Sequence, residues 1–470
     1  MRLEAALACT SAFAKPERFD VFAKHLDRDW VEEALLATGT ATLRRRRLPA
    51  DQVVWLVVGM ALMRDRPITD VVRQLDLALP ERGTSLTVAR SSVHQARARL
   101  GTAPLEWLFL RSGGQWAHAS ADRQRWRGLA LYSVDGSTLR TPDSESNRAY
   151  FGGQSAGANG RGPSGYPQVR LAVLMAVRSH LLAGASFGPY GVDERTYATD
   201  LWPFVPDDSL VLLDRGYLQA NVLVPLVTKG TNRHWLTRAK STSKWKVIKK
   251  LGPGDMLIEM TVSKEARRQD PSLPHTFQAR AINYQRKGYT AQTLLTSMID
   301  AKRFPAAETR ALYHERWEIE LGYDEIKTEM LLREETIRSK SPDGVAQELW
   351  GILLAYNLIR LEMEKIADEI KVDPIRVSFV ESLRYIVEEW GWATITGSPG
   401  AIPRHLGDMR DKIRRFLLPP RRTDRIYPRA VKVKMSNYDL KRPPTGRRPN
   451  RLLKNRPREC GSPSPIRSDS

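Results

Sequence analysis

The sequence predicts an α/β protein with a helical N-terminal section, and three changes of texture along its 470 residues predict it. Helical spacing of apolar residues runs to about residue 125. Short apolar and β-branched runs divided by turn residues follow to about residue 240, and helical spacing returns from Pro305 to about Ile370. The length accommodates more than one domain and a sizeable core. With 41% hydrophobic and 27% charged residues, the composition is that of a folded chain, neither disordered throughout nor fibrous.

The elements can be justified in chain order. DQVVWLVVGMALMRD places Asp51 to cap an apolar helix, with Pro49 as the boundary before it. A second amphipathic segment, RPITDVVRQLDLAL, starts after Pro67. RSSVHQARARLG makes a third, with Ser91 or Ser92 as N-cap and Gly101 as the stop. Short helices with turns between them, the last carrying Arg90, Arg97 and Arg99, fit a helix-turn-helix-like DNA reader and fit a plain helical bundle as well. Arg44 to Arg47 form a run of arginines suited to solvent or to phosphate.

Five strand-like runs come next: LALYSVDGST, YPQVRLAVLMAV, HLLAGASF, SLVLLDRG and RHWLTRAK. The second and third are close enough to form a hairpin. Between the first two lies a loop with six glycines in residues 152–165. Its Gly160, Gly162 and Gly165 have dinucleotide-site spacing, but Pro163 interrupts them and a strand pattern follows where a helix would be needed, so a mobile loop is expected. Residues 241–290 read as a β-rich insertion with a Gly-Pro-Gly turn. Helices are expected from Pro305 to about Ile370 and from Pro374 to Trp390. After Pro419 the chain is rich in Pro, Arg and Lys and too poor in apolar residues to fold alone. The predicted domains are therefore a helical unit over 1–125, an α/β body over 126–400 and a basic, largely disordered tail over 401–470.

The charge distribution points to a partner. The net charge of +21 divides into +6 over residues 1–130, +1 over 131–400 and +14 over 401–470. Basic ends around a near-neutral centre suit a polyanion, because clustered lysines and arginines gain affinity by releasing phosphate counterions. Cys9 and Cys460 stand at opposite ends, which excludes a disulfide framework and a cysteine zinc module and fits a reducing compartment. The strongly apolar, uncharged stretch Gln52 to Met63 is too short for the roughly 18 to 20 residues that span a bilayer, so no membrane association is expected. The N-terminal MRLEAALACTSAFAK only faintly resembles a signal peptide, since Glu4 breaks a weakly apolar run.

The candidate chemistry lies in carboxylates. Two strands end in an aspartate before a turn, at Asp135-Gly136 and at Asp214-Arg215-Gly216-Tyr217. A carboxylate at the end of a buried strand is costly unless a cation, a metal or hydrogen-bond donors use it, although an aspartate can also simply cap a turn. In ALYHERWEIELGYDEIKTEM, Tyr313, Arg316, Glu320 and Lys327 fall within an arc of about 60° on an α-helical wheel, at the edge of the apolar face. An ordinary amphipathic helix with an Arg316–Glu320 pair would share this pattern. Asp324 is a rival to Glu320 as the third acid.

The spacing Tyr-x2-Arg-x3-Glu-x6-Lys resembles the signature of the insertion element 4 family of transposases, matched at Tyr313, Arg316, Glu320 and Lys327. The same family carries Asp-Gly-Ser/Thr after the first strand, matched by Asp135, Gly136 and Ser137. It carries Asp-x-Gly-Tyr/Phe after the fourth, matched by Asp214, Gly216 and Tyr217. The resemblance covers about residues 20–400. It implies a ribonuclease H-like α/β fold, with a mixed five-stranded sheet flanked by helices, and catalytic, metal-binding carboxylates at Asp135, Asp214 and Glu320. It also implies two Mg²⁺ ions, with Mn²⁺ as a substitute, and DNA phosphate held by Tyr313, Arg316 and Lys327. Two such ions about 3.5 to 4 Å apart can activate the attacking oxygen and stabilise the leaving one, and hard cations call for carboxylate ligands. Some relatives stack a flipped base on an insertion tryptophan, but among 12 tryptophans Trp235 and Trp245 are expected in the core.

The expected function is that of a DNA transposase which binds the terminal inverted repeats of an element, cuts there and joins the ends to target DNA. It would act as a homodimer when two ends are synapsed, in the cytoplasm at the nucleoid. The alternatives are a non-enzymatic DNA-binding protein or repressor derived from such an enzyme, and a metal-dependent nuclease without strand transfer.

Overall fold

The computed structural model describes residues 26, 28–41, 48–75, 77, 88–154, 165–285, 291–332, 336–396 and 409–419. The arginine run at 44–47, most of the glycine-rich loop and the tail beyond 419 lie outside these residues.

The N-terminal helices are α1 (Arg28–Ala37), α2 (Ala50–Leu62), α3 (Ile68–Gln74), α4 (Arg90–Leu100) and α5 (Ala103–Arg123). Asp51 stands in the first turn of α2 rather than at its cap, which is Pro49. Helix α4 starts at Arg90, ahead of the two serines expected to cap it, and ends at Gly101, whose φ of +68° is the left-handed conformation a helix stop favours.

The body follows as β1 (Ala130–Arg140), α6 (Glu145–Phe151), β2 (Gln168–Ala176), β3 (Leu182–Pro189), α7 (Glu194–Thr199), β4 (Ser209–Leu213), α8 (Ala220–Thr228) and β5 (Arg233–Arg238). Strand β1 pairs antiparallel with β2 and parallel with β4, and β4 pairs parallel with β5. These are the five predicted strands. The first five residues of β1 and the whole of β4 are buried, as interior strands must be.

The sheet is larger than predicted. Strands β6 (Lys246–Gly252), β7 (Asp255–Thr261) and β8 (Thr276–Tyr284), with α9 (Lys264–Gln269) between β7 and β8, fill the span read as a β-rich insertion, and β9 (Gln292–Thr296) joins them to the main sheet. Strand β9 pairs antiparallel with β5, giving one nine-stranded sheet in the order β3-β2-β1-β4-β5-β9-β8-β7-β6. The physical reason is that β5 would otherwise be an unpaired edge next to buried Trp235 and Leu236. Trp235 is in the core as expected, and Trp245 packs partly buried against it.

The C-terminal half comprises α10 (Ala306–Leu312), a 3₁₀ turn (Tyr313–Arg316), α11 (Trp317–Asp324), a π-helical turn (Glu325–Met330), the long α12 (Pro342–Ile370) and α13 (Phe379–Thr396). One apolar core joins α1 to α5, β2, β3, α11 and α12. Helix α2 lies against α12 so closely that a Cβ at Gly351 would stand 2.5 Å from Val57. The predicted tail boundary at 401 is also displaced. Met409 and Ile413 are buried in the same core, and Leu417 bridges Val377, so residues 409–419 pack on the body. Among the described residues no helix is long and apolar enough to cross a membrane.

Candidate active site

The register of β1 on β4 ends with Val134 opposite Leu213, which brings Asp135 beside Asp214, the residue after β4. Asp135 does not end its strand as the sequence suggested: β1 runs on to Arg140, with Asp135 opposite Val173 of β2. The two carboxylates thus meet where β4 stops, at the carboxyl end of a parallel pair, where ligands bind in open α/β folds. Burial pushes the Asp135 carboxyl up to about 7, with Glu194 and Asp214 adding to the rise, while the Gly136 N–H and Arg316 oppose it.

Glu320 reaches this pair indirectly. Its carboxylate accepts from Arg316 at 2.8 Å, the intrahelical pair that an ordinary amphipathic helix would also make. The buried Arg316 guanidinium acts electrostatically on Asp135 and Asp214 as well, so all three acids share one countercharge. Among the described residues no group of three His, Cys, Asp or Glu side chains is arranged to hold a metal ion. The donor set nonetheless suits a hard divalent cation: two juxtaposed aspartates, one of them desolvated, with a third carboxylate bound to their common countercharge.

The rest of the helical stripe is not one α-helical face. Tyr313 and Arg316 occupy a 3₁₀ turn, Glu320 the α-helix and Lys327 the π turn, so the 3.6-residue wheel does not extend to Lys327, which is half-buried. Tyr313 is buried beside Arg316, and its hydroxyl donates to the Leu213 carbonyl at 3.4 Å, supporting the strand end that carries Asp214. Asp324, the rival acid, is exposed and accepts from the Thr328 hydroxyl at 2.6 Å. Tyr323 donates to the Asp135 carbonyl at 2.7 Å and ties the helix to β1.

Two features depart from the expectations drawn from sequence. Glu194, the first residue of α7, lies against Gly136 so closely that a Cβ there would stand 2.1 Å from its Cδ, and the Tyr217 hydroxyl donates to it at 2.5 Å. No local sequence pattern marks Glu194; only its contacts, Gly136 and Tyr217, belong to the two aspartate motifs. Arg97, expected on a DNA-reading helix, is instead buried and donates to Gln347 at 2.8 Å and Ser339 at 3.1 Å. A desolvated arginine needs such partners, and here they lie on or just before α12. Arg90 and Arg99 are exposed.

Residues 16–110 match the family "Insertion element 4 transposase N-terminal", and residues 126–358 match "Transposase DDE domain". The chain is 41% identical over 88% of its length to "Transposase InsG for insertion sequence element IS4" of Escherichia coli (strain K12), covering 92% of that protein. It is 39% identical over 50% of its length to "Putative transposase InsZ" of the same organism, covering 74% of that protein. Among solved structures, a piggyBac transposase synaptic complex with hairpin DNA aligns with a TM-score of 0.40 and 12% identity, over 86% of this chain and 85% of that one.

Proposed function

The chain belongs to the insertion element 4 family of transposases, and on that premise we propose that it binds the terminal inverted repeats of its own element, hydrolyses the phosphodiester at each end and joins the ends to target DNA. Its first five strands, in the order β3-β2-β1-β4-β5, then serve as a ribonuclease H-like core. The observation that carries the reading is the juxtaposition of Asp135 and Asp214 on neighbouring parallel strands, with the guanidinium of Arg316, which holds Glu320, close enough to act on both.

Asp135, Asp214 and Glu320 are the residues that would hold divalent metal, most simply Mg²⁺. Bound there, a pair of such ions supplies activation of the attacking oxygen and stabilisation of the leaving one. The protein's own groups do the remaining work. Glu320 turns toward the aspartates by releasing Arg316, and the freed guanidinium is shaped for bidentate contact with a DNA phosphate. Lys327 adds a second cation on the same segment. Tyr313 acts from beneath, holding Arg316 and the Asp214 strand end in place. The basic ends of the chain hold DNA, and synapsis of two ends calls for two copies of the protein, in the cytoplasm at the nucleoid.

Incubating the full chain with end-containing DNA, target DNA and Mg²⁺ tests this. Cleavage at the ends and joined products are expected, both abolished in Asp214→Ala and Glu320→Ala. Retained cleavage in either variant would overturn its assignment. Ends that are cut but never joined would identify a nuclease, and specific end binding without cutting would identify a repressor.

A further inference from the structure

Beneath the helix that carries Glu320 lies a buried polar network that the proposed chemistry does not use. Glu318 and Glu325 are seven residues apart, two turns of helix, so both face inward, while Glu320 is about 200° round from Glu318. His180, in the turn between β2 and β3, bridges toward both. Its Nε2 stands 2.9 Å from Glu318, and its Nδ1 2.7 Å from an Arg360 nitrogen and 3.4 Å from Glu325. With Arg360 donating to Nδ1, the ring proton belongs on Nε2, aimed at Glu318. Arg360 also pairs with Glu325, and the Tyr356 hydroxyl donates to Glu325 at 2.8 Å. Arg360 and Tyr356 come from α12, so two separate elements grip one face of the catalytic helix. The backbone is shaped to allow it: His180 has a φ of +62°. Glu325 also opens the π turn that carries Lys327, a kind of irregularity frequent at functional sites.

We infer that His180, Arg360 and Tyr356 are positioning residues for the cleavage reaction. Through Glu318 and Glu325 they fix the rotation of α11 and of the π turn, and hence the direction in which Glu320 and Lys327 project. The inference rests on Glu320 being a catalytic carboxylate. Packing alone does not account for the network, because burying two carboxylates and a guanidinium gains little stability over apolar residues of the same size, whereas it does specify a single arrangement.

The test uses His180→Asn and Tyr356→Phe in the full chain. Asparagine tolerates the left-handed backbone but is too short to reach Glu318, and phenylalanine keeps the ring while removing one donor to Glu325. Each variant is expected to cut end-containing DNA about 10- to 100-fold more slowly in single turnover and to need more Mg²⁺ for half-maximal rate. End binding should stay within about twofold of the parent, amide exchange over residues 317–330 should quicken, and His180→Gln, which restores a donor toward Glu318, should recover most of the rate. Cleavage at the parent rate and metal requirement would overturn the inference, as would a slower rate matched by equal falls in end binding and melting temperature. If His180→Asn does not fold, Tyr356→Phe decides by the same measurements. Glu320→Gln is run beside them: retained cleavage there would remove the premise, whereas an inactive Glu320→Gln with fully active network variants would overturn only this inference.

Discussion

Asp135, proposed above as a metal ligand, is a carboxylate kept at a cost to the fold. Its carboxyl is pushed up to about 7 by burial and by the neighbouring acids Glu194 and Asp214. Because the folded-state value lies above the unfolded one of 3.8, the penalty is absent below about pH 3.8, grows as pH rises from there to about 7, and is constant above. Asp135→Asn should therefore raise the melting temperature by a few degrees at pH 8, with little gain at pH 4, while abolishing cleavage; a tenfold difference in proton affinity between folded and unfolded chains is worth about 1.4 kcal/mol. Equal gains at both pH values would show that the carboxylate is not destabilising. Gly136→Ala places a methyl group where Glu194 packs. It should displace Glu194 from Tyr217 and cost about 1 to 3 kcal/mol, measurable by chemical denaturation. The two aspartates were legible in the sequence because an apolar strand run reaching Asp is a local pattern, although only Asp214 ends its strand, β1 running past Asp135 to Arg140. Glu194 was not, since it opens a short helix about 60 residues from Asp135 with no local pattern of its own.

At the scale of elements, a helical wheel assumes one period, and the segment from Tyr313 to Met330 uses three. The grouping of Tyr313, Arg316 and Glu320 survives because they are close in sequence. Lys327 lies beyond the change of pitch, where the wheel no longer applies. Arg97 illustrates a second limit, since a cation on an amphipathic helix reads as solvent-facing until its partner Gln347, 250 residues away, is known. Nearby on α12, buried Glu348 accepts from Arg64 at 2.5 Å, from the Arg338 backbone N–H at 3.0 Å and from the Ser339 hydroxyl at 2.6 Å. Burial alone would raise its pKa, but Arg64 and Arg338 hold it below the ordinary range. This depressed carboxylate contributes stability above the unfolded-state value near 4.5 that is lost as pH falls through and below it. Glu348→Gln should destabilise the protein by about 3 to 5 kcal/mol at pH 7, because it strands buried guanidinium groups, and by less at pH 4. Denaturant titrations at the two pH values check the sign.

For the whole molecule, the charge asymmetry outlines the division between DNA holding and chemistry. If the basic tail holds DNA, deleting residues 421–470 should weaken end binding and reduce the slope of log affinity against log salt by about 0.9 for each phosphate that the tail neutralised. Unchanged affinity at low salt would remove the tail from the interface. The α/β class and the five central strands were legible from texture. The continuous core was not, because Val57 against Gly351 and Met409 against the bundle join sequence-distant apolar residues that no local period encodes.

The pairing of β5 with β9 has a consequence for how this chain tolerates change. Leu236 faces Thr296 and Arg238 faces Leu294, so the backbone comes back beside the point where it departed. Topologically, everything between these strands is an enlarged hairpin connection. Loop-closure entropy grows only slowly with length, so such a site accepts long excursions of chain while β1 and β4, which place Asp135 beside Asp214, keep their register. Change at the exposed outer strand β6 is thus absorbed more readily than change in β8, whose Ala279, Arg280, Ala281 and Ile282 are buried.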